Sequence, residues 1–251
     1  MTESIRVGVV GARGRMGSQA CQAISTADGL ELSAQLGSAD PLGELVNAGV
    51  KVAVDLTRPD VVMNTVRFCI HHEINCVVGT SGIEQQQLEE ITGLLAGLPA
   101  VGIIVVPNFA IGAVLAMRFA RLAAPFFAGV EVIELHHAGK ADAPSGTAAA
   151  TARGIATARS AASSAPMPDA TTADPGGARG ADIDGVHVHS VRLPGLVAHQ
   201  EVLLAGDGEL LTIRHDSLHR GSFMPGMLLS VRQAPLRAGL TIGLESLLEL
   251  D

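Results

Sequence analysis

Ile5-Arg-Val-Gly-Val-Val10, then Gly11-Ala-Arg-Gly-Arg-Met-Gly17, then Ser18–Ser25 is the stretch on which the fold turns. The first run is short, apolar and β-branched, which predicts a buried strand. The last predicts a helix. Between them three glycines recur as G-x-x-G-x-x-G. Glycine lets a backbone approach a pyrophosphate closely, and a helix N-terminus stabilises its charge. Strand, glycine turn and helix in that order are the setting of a dinucleotide-binding unit. The spacing departs from the commoner G-x-G-x-x-G, so position at the head of a βα series carries the reading.

The series continues. Leu30–Leu36, Val52–Thr57, Asn75–Thr80 and Val101–Val106 read as strands, with helices at Pro59–His71 and Ile83–Leu95. Strands alternating with helices predict a parallel, doubly wound sheet. Ligands of such sheets sit outside the carboxyl ends of the strands, so Asp55-Leu-Thr57, Gly79-Thr-Ser81 and Pro107-Asn-Phe109 should line the cleft. An acid usually ends the second strand and holds the ribose hydroxyls. Here that position is Gly37, the nearest acid is Asp40, and the glycine turn carries Arg13 and Arg15. A 2′-phosphate should therefore be tolerated or preferred.

The pattern changes after the apolar helix Ile111–Ala124. Val130–His136 reads as a strand and Thr147–Ala158 as a helix; Ser160–Gly180, rich in Ala, Ser, Pro, Asp and Gly, reads as a long loop with little fixed structure. Val186–Leu193, Gln200–Ala205 and Glu209–His215 read as strands of an antiparallel or mixed sheet. Ser222–Ala234 predicts a helix, Leu240–Leu244 a short strand, and the tail ends in Leu247–Leu250. The expected fold class is α/β. An N-terminal Rossmann-like parallel sheet, residues 1–110, is completed by the C-terminal segment 220–251. Residues 111–219 form an α+β substrate-binding and oligomerisation domain with a mixed sheet. The spare face of that sheet needs covering, and pairing with another subunit does so.

Bulk properties narrow the classes. Of 251 residues 47% are hydrophobic and 17% charged, as in a soluble globular protein. A formal net charge of -8 and the absence of Trp and Tyr exclude a general nucleic-acid binder. No apolar run approaches the roughly 20 residues of a membrane span, and the N-terminus shows no basic leader, so a cytoplasmic location is expected. Cys21, Cys69 and Cys76 read as buried free thiols in a reducing compartment.

The polar chemistry concentrates in Glu134-Leu-His-His-Ala-Gly-Lys-Ala-Asp-Ala-Pro-Ser-Gly-Thr147. Imidazole exchanges protons near neutral pH. Lysine offers positive charge and a proton. Ser145-Gly146-Thr147 offers a cap and backbone N–H groups to an anion. On an ideal strand His136 and His137 would face opposite ways and have different tasks, while Asp142 orients Lys140 or the turn. A metal held by His136, His137, Asp142 and His187-x-His189 is a weaker reading, because Lys140 opposes a bound cation. No metal is expected.

These residues carry a resemblance. Glu134 to Ala148, with Val9-Val-Gly-Ala-Arg-Gly-Arg-Met-Gly17, Asp55-Leu-Thr-Arg-Pro59, Val78-Gly-Thr-Ser81 and Pro107-Asn-Phe-Ala-Ile-Gly112, resembles the 4-hydroxy-tetrahydrodipicolinate (dihydrodipicolinate) reductase family of bacterial diaminopimelate and lysine biosynthesis. The likeness covers essentially the whole chain and is greatest to the actinobacterial branch. It implies hydride transfer from NADH or NADPH to a cyclic dicarboxylate, with loss of water. It implies His136 as catalytic acid/base, Lys140 as proton donor, and His137, Ser145, Gly146 and Thr147 as the carboxylate site. Gly11, Ala12, Arg13, Gly14, Arg15, Met16, Gly79, Thr80, Ser81, Val106, Pro107, Asn108 and Phe109 are implied as cofactor contacts. Relatives are homotetramers built through the second domain's sheet. The other class to weigh is a nucleotide sensor of the same fold without turnover, which has no need of a proton donor. Three departures stand out: Gly37 in place of the acid, Gly79-Thr-Ser81 where relatives have Gly-Thr-Thr, and Gly139 where relatives often have histidine before the lysine.

Overall fold

The computed structural model describes residues 4–80, 82–98 and 100–248. The chain divides into two units, one of residues up to Ile111 together with those from Arg220 onward, the other Gly112–His219.

In the first unit β1 (Ile5–Val10), α1 (Arg15–Thr26), β2 (Leu30–Leu36), α2 (Gly43–Asn47), β3 (Val52–Asp55), α3 (Val62–His71), β4 (Asn75–Val78), α4 (Gln85–Leu95) and β5 (Gly102–Val105) follow in order. The strands form a parallel sheet in the order β11-β5-β4-β3-β1-β2, in which β11 (Gly239–Ile242) comes from the C-terminal segment and pairs with β5. α7 (Met224–Gln233) precedes it, and Arg232 reaches back to the Asp28 carbonyl, 2.9 Å away. The central strands are buried on both faces: every residue of β3 and β5 is buried, as the near-continuous apolar runs predict. Leu45, Val66, Cys69, Cys76, Ile91 and Ile103 pack into one core on one side of this sheet.

Several boundaries differ from the sequence reading for local reasons. α1 starts a turn earlier than Ser18, with Gly14 as N-cap and Ser18 N–H already bonded to Gly14 O. α3 starts at Val62, not Pro59, because Arg58 and Asp60 close a turn ahead of it with hydrogen bonds of 3.0 and 2.7 Å. α4 starts at Gln85 because Glu84 and Gln87 form a capping box. The predicted strand Leu240–Leu244 is Gly239–Ile242, and of the tail Leu247–Leu250 only its first two residues lie within the described residues.

In the second unit α5 (Ile111–Ala123), β6 (Gly129–His136), α6 (Gly146–Ala161), β7 (Ala181–Ile183), β8 (Val186–Arg192), β9 (Ala198–Gly206) and β10 (Glu209–Ser217) succeed one another. Their sheet runs β10-β9-β6-β8-β7 and is mixed: β6 and β8 are parallel, the other pairs antiparallel. Val130 and Val132 on β6 pack with Val188, Val202, Ala152 and Ile155, so α6 covers one face. The alternate residues Glu131, Ile133 and Leu135 lie on the other face and are half-buried.

The run Ser160–Gly180 is for the most part the surface loop expected of it. Its first two residues finish α6 and the remainder has no strand or helix, but it is not loosely held. Met167 accepts the Val130 N–H at 3.0 Å, and Arg179 pairs with Glu131 and Asp169. Buried Arg159 donates to the carbonyls of Ala124, Phe127, Ala128 and Ala165, tying the end of α6, the turn before β6 and the start of the loop to one guanidinium.

Candidate active site

The glycine turn is built by close contacts. Gly11 has φ +85°, and a Cβ there would lie 2.7 Å from the Leu56 carbonyl oxygen. A Cβ on Gly17 would fall 2.1 Å from Gly11 O. The turn therefore folds tightly onto the first turn of α1, and its N-cap, Gly14, supplies no capping side chain. The helix N-terminus is left to an outside anion.

A cleft of about 610 Å³ opens here, lined among others by Gly11, Arg13, Gly14, Gly37, Asp40 and Thr57. Arg15 and Met16 lie in the first turn of α1. Along the same carboxyl edge of the sheet, Asp55 is fully buried at the end of β3. Its Oδ1 accepts from Thr57 N–H (3.1 Å), Thr57 Oγ1 (2.8 Å) and Thr80 Oγ1 (2.8 Å), which binds the turns after β3 and β4 together. Phe109 is buried against Gly79, where a Cβ would stand 2.4 Å from its ring. Val106 N–H bonds to Val78 O at 2.8 Å, and Asn108 Oδ1 accepts the Ala110 N–H at 2.9 Å. Ser81 lies outside the described residues. The groups present fit a dinucleotide: a bare helix N-terminus behind a glycine turn, a cleft of adequate volume, and a cation at its edge.

The second cluster lies where β6 runs into α6. Glu134 points to the helix side of the sheet and is fully buried. Oε2 lies 2.5 Å from His136 Nδ1, and Arg192 donates to both carboxylate oxygens, at 2.8 and 2.7 Å. Oε1 also accepts the Ser145 N–H at 3.1 Å. Burial opposes the ionised form, but hydrogen bonds from Arg192, Ser190 and His136 outweigh it and hold Glu134 down at about 2. Burial pushes the His136 imidazole below its ordinary value; Glu134 opposes this, while Lys140 and Arg192 add to it. A neutral imidazole with Nδ1 engaged is poised to exchange a proton at Nε2.

β6 ends at His136, so His137 belongs to the following turn, closed by Lys140 N–H to His137 O at 3.1 Å. Lys140 Nζ contacts Asp142 Oδ1 at 2.6 Å. That bond chiefly, against some burial, holds Asp142 below the ordinary carboxylate value; the Gly146 backbone N–H contributes in the same direction. Ser145 caps α6, its Oγ accepting the Ala148 N–H at 3.1 Å. Gly146 and Thr147 form the first helical turn. The structure thus places His136, His137, Lys140, Ser145, Gly146 and Thr147 in one turn region. His187 and His189 face Asp169 and Glu131 instead, at 3.5 and 2.7 Å, and no metal-binding group of three or more such side chains occurs among the described residues.

Sequence reading did not identify Arg192, which lies 58 residues from Glu134 and meets it only through the parallel β6–β8 register. It also did not single out Glu134 as the residue on which His136 and Arg192 converge. Strand parity held a signal: Glu134 shares its face with Val130 and Val132, a side chosen for burial.

A Rossmann-like parallel sheet entered through a glycine turn, with a histidine and a lysine gathered ahead of a second helix N-terminus, is the architecture of an NAD(P)H-dependent oxidoreductase. The comparisons agree. Residues 5–109 match the family model described as dihydrodipicolinate reductase, N-terminus, and residues 112–248 the model described as its C-terminus. The chain is 57% identical over 247 residues to a 4-hydroxy-tetrahydrodipicolinate reductase of Nocardia farcinica (strain IFM 10152), covering 98% of this chain and 100% of that one. It is 56% identical to the like-named protein of Streptomyces griseus, covering 98% and 99%. A dipicolinate-bound dihydrodipicolinate reductase from Paenisporosarcina sp. TG-14 superposes with a TM-score of 0.85 at 39% identity, over 97% of this chain and 99% of the other. The chain belongs to the dihydrodipicolinate reductase family.

Proposed function

We propose that the chain reduces 4-hydroxy-tetrahydrodipicolinate to tetrahydrodipicolinate in diaminopimelate and lysine biosynthesis, with loss of water. The observation that carries this reading is the Glu134–His136 pair, with Lys140 in the turn before α6 near enough to lower the imidazole's pKa. When bound, the nicotinamide of NADH or NADPH supplies the hydride. His136, oriented through Nδ1, is the acid/base at Nε2. Lys140 delivers the proton that balances the hydride. His137, Ser145, Gly146 and Thr147 hold the carboxylates, the helix N-terminus favouring their charge. Gly11 to Met16, Gly79 to Ser81 and Val106 to Phe109 hold the cofactor. The first unit is then the dinucleotide-binding domain and the second the substrate and assembly domain.

A homotetramer through the β6–β10 sheet accords with its uncovered face, where Leu210 on β10 is 63% exposed. No helix among the described residues is long and apolar enough to cross a membrane, and a biosynthetic role accords with a cytoplasmic location. Nothing favours the sensor without turnover. Steady-state kinetics with NADH and NADPH side by side test the reading; cofactor binding with no substrate-dependent oxidation would overturn it.

A further inference from the structure

The cleft edge at the end of β2 holds an arrangement that the linear sequence does not reveal. Gly37 ends the strand, where an acid ordinarily accepts the ribose hydroxyls. A Cβ on Gly37 would stand 3.0 Å from Arg13 Cδ, 3.1 Å from Nε and 3.2 Å from Cζ. The Arg13 side chain therefore lies flat against the bare Gly37 backbone, and glycine is used here for space. Asp40, three residues on, doubles back. Its Oδ2 accepts the Gly37 N–H at 2.8 Å and Arg13 Nη2 at 3.0 Å. A carboxylate thus does stand at the end of β2, but it is engaged in fixing Arg13. Arg13 is otherwise open, with 73% of its side chain exposed at the cleft rim. The other arginine of the cleft, Arg58, is taken by Asp60 through two hydrogen bonds.

We propose, on the strength of assigning this cleft to a pyridine dinucleotide, that Gly37, Arg13 and Asp40 together read the ribose 2′ position and favour a 2′-phosphate. A guanidinium has five N–H donors in a planar fork, so Asp40 leaves several for a phosphate dianion. A ribose hydroxyl gains less: Asp40 Oδ2 is already engaged by Arg13 and the Gly37 N–H, which leaves it only Oδ1. Gly37 is the selector, because a Cβ there would press on the Arg13 side chain at 3.0–3.2 Å and shift it from its bed. Asp40 both aims Arg13 and tempers its charge, so NADH is disfavoured without being shut out.

The test is direct binding to the full chain, by calorimetry and by titration of reduced-nicotinamide fluorescence; the chain has no Trp or Tyr to emit alongside it. NADPH should bind about tenfold more tightly than NADH, with the advantage shrinking as salt rises. 2′,5′-ADP should compete better than 5′-AMP. Arg13→Ala should weaken NADPH by more than it weakens NADH and so erase the advantage. Gly37→Asp should reverse the order, and Asp40→Asn should tighten NADPH further. Equal or tighter binding of NADH by the unaltered chain overturns the proposal. So does an Arg13→Ala variant that weakens both cofactors alike, a readout available even where Gly37→Asp fails to fold. Binding of neither cofactor by the folded chain overturns the cleft assignment itself, and the proposal with it.

Discussion

His136 Nδ1 and Glu134 Oε2 stand 2.5 Å apart, two residues along one strand, with the carboxylate wholly buried and the imidazole partly so. At His136 the strand ends, and its side chain turns back onto the carboxylate of the helix-covered face. One ring nitrogen is thereby spoken for and the tautomer is set.

Glu134→Gln keeps the shape and removes the charge. It should lower kcat roughly 10²-fold, because the imidazole loses both its orientation and its counter-charge. The acid limb of the kcat/KM profile should move down in pH, since Glu134 works against the depression of the His136 pKa. A fall in activity with an unshifted profile would leave Glu134 a merely structural residue.

Arg192→Met leaves Glu134 buried without its cation. Breaking such a pair should destabilise the fold by about 3–5 kcal/mol in urea denaturation. It also removes one of the charges that lower the His136 pKa, so the His136 resonance should titrate at higher pH by NMR. Unchanged stability would mean that the pair is screened by solvent.

Acid should act through the same carboxylate. Glu134 titrates at about 2 in the folded chain against an ordinary 4.5. Its stabilisation, on the order of 3 kcal/mol, is present above the ordinary value and drains away as pH falls toward the folded one. Denaturation midpoints measured from pH 5 to pH 2 should fall steeply in the parent and more gently in Glu134→Gln.

Lys140→Ala should lower kcat roughly 10²-fold with a smaller change in KM, as removal of a proton donor requires. Thr147→Val should chiefly raise the substrate KM. Effects of both substitutions confined to NADPH affinity would contradict the roles proposed for them.

Asp142 engages Lys140 and draws on the Gly146 N–H, two groups proposed for the substrate and its charge. A dicarboxylate must compete with it. Asp142→Asn should lower the substrate KM roughly threefold, the modest size expected of an exposed pair, with kcat nearly unchanged. A raised KM would make Asp142 a support for Lys140 rather than a competitor.

What the sequence disclosed follows range of interaction. β1 and β2 were legible to the residue, because apolar β-branched runs and flanking glycines are local signals. The return of the C-terminal segment was legible as a pattern, and its pairing of β11 with β5 agrees. β7 was missed, since three residues carry no period. Glu134–Arg192, Glu131–Arg179 and the return of Asp40 to Gly37 were missed for another reason. They join side chains across turns or strands, and no spacing along the chain records them. The turn chemistry of His136 to Thr147 was readable because its groups are neighbours in sequence.

Arg159 has a practical consequence. Because its guanidinium holds the end of α6, the turn before β6 and Ala165 at once, the strap that follows is fastened near its root. Arg179 fastens it again near its far end, on Glu131 and Asp169. The exposed residues between Thr171 and Gly177 hang between two anchors. A peptide tag or a single protease cut placed there should leave both ends docked, which makes this short span the natural attachment point for a label.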